Sequence, residues 1–132
     1  KGKIKKSIEE DISYLGHKNA LKSYLSVEDN IKLMGLLNHH ELKKNLETLG
    51  LKRMLDIKVA NLSYGQQKKL ALLRIFMSNS NLIVLDEPFV GLDIKNQNIL
   101  SNFLNNQLQN EKGIIFTSHI SCEIDSKTLK ID

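Results

Sequence analysis

The chain has 132 residues, 41% hydrophobic and 26% charged, which suits at most one compact domain with a sizeable core and does not make disorder the default. No apolar run approaches the ~20 residues of a membrane helix, so membrane contact has to go through a partner; the single cysteine, Cys122, excludes an internal disulfide and fits a reducing compartment. The net charge of +4 comes largely from Lys1, Lys3, Lys5 and Lys6, and with few aromatics and no tryptophan this reads as a solvated terminus and not as a nucleic-acid surface.

The first residue is Lys1 and no signal-peptide pattern follows, which reads as a fragment or a processed product. Residues 1–11 are polar and have no clear period. Ile12–Leu15 is a strand candidate ending at Gly16-His17; by itself His17 reads as a solvated loop histidine. Ser26 can cap a helix whose first turn carries Glu28 and Asp29, with Ile31, Leu33, Met34 and Leu37 as its apolar face. A second helix starts at Asn38 or His39, carries Leu42, Leu46 and Leu49, and stops at Gly50. A short helix follows over 52–56. Adjacent His39 and His40 diverge on a helix and read as a surface pair, not a metal site.

The chain is organised around Asn61 to Asp93. A polar loop, Leu62-Ser63-Tyr64-Gly65-Gln66, opens a helix that is apolar nearly all round from Leu70 to Met77 and therefore needs burial on most faces. Ser63 offers a hydroxyl, Gly65 permits close backbone approach, and the helix aims its positive end there, which makes an anion site. Lys68 and Lys69 have the wrong sign for that end; they read either as exposed lysines or as neighbours of a phosphate. After Asn79-Ser80-Asn81, the run Leu82–Leu85 predicts a strand buried on both faces. It stops at Asp86-Glu87-Pro88, where proline removes the ladder donor. Two carboxylates at the mouth of a buried strand need compensation, and Mg²⁺ with substrate phosphates is the usual form of it; alone the triplet also reads as a strand-end turn.

Ile94 to Gln109 predicts a helix with Ile99, Phe103, Leu104 and Leu108 as its buried stripe, held by packing because Asn and Gln lower its propensity. Gly113 starts a second buried strand, Ile114–Phe116, ending at Thr117-Ser118-His119; alone His119 reads as a strand-end surface histidine. Strands at 12–15, 82–86 and 114–117 are expected to be parallel, with a right-handed crossover between the last two. A short helix and an edge strand are expected over 120–132.

These phrases, in this order, resemble the ATP-binding-cassette ATPases. Leu62–Gln66 is similar to the signature loop LSGGQ with Tyr64 in a glycine position, Leu82–Glu87 to the Walker B strand, Val90-Gly91-Leu92-Asp93 to the D-loop, and Thr117-Ser118-His119 to the switch-histidine motif. Tyr14-Leu15-Gly16-His17, Ala20-Leu21-Lys22, Leu25–Asn30 and Leu62–Gln67 with its two following lysines are most similar to the haem-exporter ATPases of cytochrome c maturation. That family also carries His at the Q-loop position, and Lys18 replaces its following Gln.

The resemblance implies an α/β class, a partial P-loop NTPase fold with a parallel sheet, flanking helices and a small helical subdomain. Residues 24–60 would be that subdomain, facing a membrane permease subunit, and 61–132 the signature, Walker B, D-loop and switch region. It implies ATP as substrate and Mg²⁺ held by Asp86. Glu87 acts as general base and His119 as γ-phosphate sensor. Ser63, Gly65 and Gln66 bind the ATP of a second ATPase subunit, His17 stands at the Q-loop and Asp93 at the dimer interface. It also implies a peripheral site on an inner membrane, cytoplasmic in bacteria or matrix-facing in mitochondria, with Lys, Asn and Ile richness favouring mitochondria.

The likeness covers Ile12 to about Glu123, and no GxxxxGK[ST] phosphate loop occurs in the 132 residues. That loop is expected from a separate chain, from a longer form of this one, or to have been lost. Alternatives to a haem-export ATPase are a non-catalytic module docking the permease and an ATPase of another transporter. A soluble cassette acting on nucleic acid usually carries two cassettes, for which there is no room.

Overall fold

The computed structural model describes residues 12–118. Its strands are β1 (Ile12–Leu15), β2 (Leu82–Asp86) and β3 (Gly113–Thr117), and its α-helices are α1 (Val27–Leu33), α2 (Leu42–Thr48), α3 (Tyr64–Phe76) and α4 (Ile94–Gln109). Short 3-10 turns occupy Lys52–Met54 and Val59–Asn61. The described strands form one parallel sheet in the order β1-β2-β3. This is the α/β arrangement and strand placement expected from the apolar runs. The expected elements over 120–132 lie outside the described residues.

Register decides which side chains share a face. Leu15, Leu85 and Phe116 lie side by side, as do Ser13, Ile83 and Ile114. This face packs against Ala71, Leu72 and Ile75 of α3 and Leu100 and Leu104 of α4, with Phe89 sealing the end. Phe76 of α3 stacks on Phe103 of α4, ring centroids 4.2 Å apart. A second core joins Val27 and Ile31 of α1, Leu46, Leu49, Leu51 and Val59 to Leu70, Leu73 and Met77 of α3. Serving both cores explains why α3 is apolar nearly all round.

Four expectations are corrected. Strands buried on both faces are not found: Tyr14, Val84 and Ile115 lie side by side on the opposite face, and Ile115 is 59% exposed. The reason is that α3 and α4 pack on the same side, and no described element covers the other. Leu33 and Leu37 are exposed, because α1 is short and its inward stripe is Val27, Asn30 and Ile31. The helix expected from Asn38 or His39 begins at Leu42, although Gly50 closes it at φ +69° as read. In α4 the deepest residues are Leu100, Ser101 and Leu104, so of the expected stripe only Leu104 is fully buried, while Ile99 and Phe103 pack partly buried against the cores.

Candidate functional site at the carboxyl edge of the sheet

Because Leu15 pairs with Leu85 and Leu85 with Phe116, Gly16-His17, Asp86-Glu87 and Thr117-Ser118 leave the sheet at one edge. Thr117 ties two strands together there. Its hydroxyl donates to Asp86 Oδ1 (2.8 Å) and accepts from the Glu87 N–H (3.1 Å), which also reaches the Thr117 carbonyl (3.2 Å). Glu87 sits at φ +49°, a left-handed conformation that a non-glycine residue adopts only when its neighbours hold it.

Asp86 offers a carboxylate beside a hydroxyl, hard oxygen donors of the kind Mg²⁺ takes. Among the described residues no group of three or more His, Cys, Asp or Glu gathers to hold a metal. A Mg²⁺ ion is commonly held through one or two carboxylates, with water and phosphate completing its shell, and Asp86 is the carboxylate placed to offer one.

The signature loop begins α3 with a reciprocal cap. Ser63 Oγ accepts from the Gln66 N–H (3.2 Å), and Gln66 Oε1 accepts from the Ser63 N–H (2.9 Å). Ser63-x-x-Gln66 is the capping-box spacing, so this pairing was legible in the sequence. Ser63 keeps its hydroxyl proton for an acceptor outside the helix. Gly65 has a second reason beyond ligand approach: a Cβ there would stand 2.6 Å from the Gly91 carbonyl oxygen. The turn at Gly91 thus lies directly on the signature helix. Asp93 caps α4, accepting from Asn96 N (2.8 Å) and Nδ2 (2.7 Å). The Asn96 backbone N–H is the main cause that holds the Asp93 carboxyl below the usual range, and the Asn96 side chain, Lys69 and Lys95 add to it against desolvation.

Lys68 is the residue the sequence reading missed. It is not an exposed lysine but fully buried, with Nζ 3.4 Å from the Glu87 carbonyl oxygen and 5.9 Å from the Tyr64 ring centroid. Burial lowers its pKa, and the nearby charges of Asp86 and Glu87 oppose that shift. The signal was its spacing. Lys68, Leu72 and Ile75 lie on one helical face, the face turned to the sheet.

His17 is exposed and lines a cleft of about 710 Å³ with Tyr14, Lys18 and Arg74, and neither Asp86 nor Glu87 is among the residues that line it. Arg74 Nη2 donates to the Tyr14 carbonyl (2.7 Å), fastening α3 to this edge strand. His119 lies outside the described residues. Asp86 and Glu87 are brought together with Thr117, and Ser63, Gly65 and Gln66 with the turn before Asp93.

A family profile described as ABC transporter matches residues 1–90. The cytochrome c biogenesis ATP-binding export protein CcmA of Pasteurella multocida is 35% identical, covering 91% of this chain and 58% of its own length. CcmA of Bradyrhizobium diazoefficiens is 32% identical, covering 98% and 66%. The ABC transporter ATP-binding protein NatA of Bacillus subtilis is 30% identical, covering 84% and 48%. The chain thus spans only part of the length of the curated relatives it matches. These relatives are bacterial and give no support to the mitochondrial expectation. Among solved structures, an ATP-binding subunit of an ABC transporter aligns with TM-score 0.76 at 25% identity over 90% of this chain and 52% of that one. A dimeric ATP-binding cassette in a post-hydrolysis state bound to ADP and phosphate shares the fold, with TM-score 0.69 at 23% identity over 90% and 56%. With its profile match over residues 1–90 and a parallel sheet that superposes on such cassettes, the chain belongs to the ABC transporter family.

Proposed function

We propose that this chain is the signature-and-catalytic part of an ATP-hydrolysing subunit that drives a membrane permease in haem export for cytochrome c maturation. The observation that carries the reading is the Asp86-Glu87 pair at the mouth of β2, tied to Thr117. Asp86 would hold Mg²⁺, and Glu87 would accept the proton of the attacking water as general base. When bound, Mg²⁺ neutralises charge on the transferred phosphoryl group. Ser63, Gly65 and Gln66 form the anion site for the γ-phosphate of an ATP held mainly by a second ATPase subunit, so the active form is a dimer. Asp93 orders the dimer contact, His17 stands at the Q-loop and His119 senses the γ-phosphate. Residues 24–60 are the permease-facing subdomain, which puts the protein peripherally on the inner membrane. The name shared by the CcmA relatives, cytochrome c biogenesis ATP-binding export protein, supports the cytochrome c maturation part of the assignment over another transporter.

The test uses a cassette that includes a phosphate-binding loop. Glu87→Gln should keep nucleotide binding while hydrolysis falls by the ~10²–10⁴-fold typical of losing a general base. Ser63→Arg should fill the anion site and prevent dimers, whereas Glu87→Gln should trap them. ATP turnover and sedimentation in ATP read both effects. Normal turnover in both variants would show that Glu87 and Ser63 take no part in hydrolysis, whereas an unsubstituted cassette without turnover would transfer the assignment to a non-catalytic docking module.

A further inference from the structure

Lys68 is among the largest fully buried side chains of the described residues and the only charged one among them, 1% exposed. A buried ammonium is costly unless polar groups receive it. Here it is received by a backbone oxygen nineteen positions along the chain, the Glu87 carbonyl at 3.4 Å, and it stands over the Tyr64 ring, 5.9 Å from the centroid. Glu87 is the residue in the left-handed conformation, at φ +49°. Its N–H is held by Thr117 on β3. Both backbone groups of this one residue are therefore held, the N–H by the neighbouring strand and the carbonyl by Lys68 from the signature helix together with the Val90 N–H of its own turn (3.4 Å). Fixing both fixes the direction in which Cβ leaves the main chain.

We propose that Lys68 is a positioning residue for Glu87: from inside α3 its ammonium holds the Glu87 carbonyl, keeps the turn left-handed and aims the carboxylate off the edge of the sheet. The inference rests on the role given to Glu87 above. Lys68 stands five residues after Ser63, so the same side chain makes the signature loop and the carboxylate pair one rigid unit. A lysine suits the task because the carbonyl lies across a packed core, and a long apolar arm with a donor at its tip both fills that core and reaches the oxygen. Methionine would fill the space without donating. Glutamine would donate without charge.

Amide exchange followed by NMR on this chain tests the clamp apart from catalysis. Lys68→Met should raise exchange over residues 87–90 by roughly tenfold or more, the loss expected of a charge-assisted hydrogen bond, while amides of Leu70–Leu73 keep their protection. Lys68→Gln should restore much of it. A uniform rise through α3 would mean that Lys68 only fills the core, and no rise at 87–90 would mean that it holds nothing; either overturns the proposal. If the methionine variant does not fold, ¹⁵N spectra of the unsubstituted chain decide: a slowly exchanging Lys68 ammonium correlated with the Glu87 carbonyl is expected, and its absence overturns the clamp. In a cassette with a phosphate loop, Lys68→Met should lower kcat with KM for ATP little changed, and Lys68→Gln should recover kcat. Unchanged kcat would overturn the positioning role. An unsubstituted cassette without turnover would instead sink the ATPase reading, leaving the exchange result to judge the clamp by itself.

Discussion

A Cβ added to Gly91 would run into Cδ1 and Cε1 of Tyr64, and Gly91 already sits at φ +83°. Two separate penalties therefore meet at one residue, a left-handed backbone and a filled space. Gly91→Ala should destabilise the chain by about 2–4 kcal/mol, read as a shift in denaturant midpoint. In a Tyr64→Gly background the overlap disappears, and the same substitution should cost only the left-handed penalty of about 1–2 kcal/mol. Equal costs in both backgrounds would show that the tyrosine ring does not hold the turn. Tyr64 is the one departure from the LSGGQ pattern, and its sequence position gave no hint of a partner, because Gly91 comes close only after β2 has returned the chain to the start of α3. Lys68 was hard to read for the same reason. Its sign marked it as odd at a helix N-terminus, but the carbonyl that receives it lies beyond the next strand.

Helix caps were the most legible elements, because a cap is made by residues three apart. Ser26 accepts from Asp29 N at 3.0 Å and Asp93 from Asn96 N at 2.8 Å, each by a local rule. Buried stripes were less legible. Ile99, Leu100, Phe103, Leu104 and Leu108 are all apolar, and only the placement of the sheet selects Leu100 and Leu104 as the deepest. In α1, Leu33 falls off the inward face because the helix turns at Met34, and buried Asn30 takes the inward place by bonding Lys22 and Ser26. The Asp93 cap carries a pH dependence. Its folded pKa lies below the ordinary aspartate value, so the unfolded chain takes up the proton first as pH falls. The stabilisation is complete above the ordinary aspartate range and is lost as pH falls through the depressed folded value. Unfolding midpoints should separate the parent chain from Asp93→Ala at pH 7, and the gap should shrink in acid. A gap of constant size down through that range would show that the ionised carboxylate adds nothing to the cap.

At the scale of the whole molecule, α3 is shared by two cores, and the sheet has one face packed and one open among the described residues. The apolar runs of β2 and β3 were legible, but coverage was not, because a strand's sequence does not contain what packs against it. Asp86 and Thr117 stand at the end of this open face, side by side in register and in line with Val84 and Ile115. On the function proposed above, the groups that the 132 residues would bring to a nucleotide are a metal-binding carboxylate, a base and a capped helix end, each a separate edge of a site. Missing from the sequence is a GxxxxGK[ST] loop, whose backbone N–H groups and lysine make most phosphate contacts in such proteins. A carboxylate that reaches phosphate only through Mg²⁺ and a helix end aimed at another subunit's ligand do not add up to a cradle. Calorimetric titration of the 132-residue polypeptide with Mg-ATP should accordingly give a Kd no tighter than about 1 mM, equivalent to about −4.1 kcal/mol. Asp86→Asn should weaken even that, since the remaining affinity runs through the metal. Micromolar binding that survives Asp86→Asn would reveal a phosphate site elsewhere in the described residues, and the cleft beside His17, Lys18 and Arg74 would be the first place to probe.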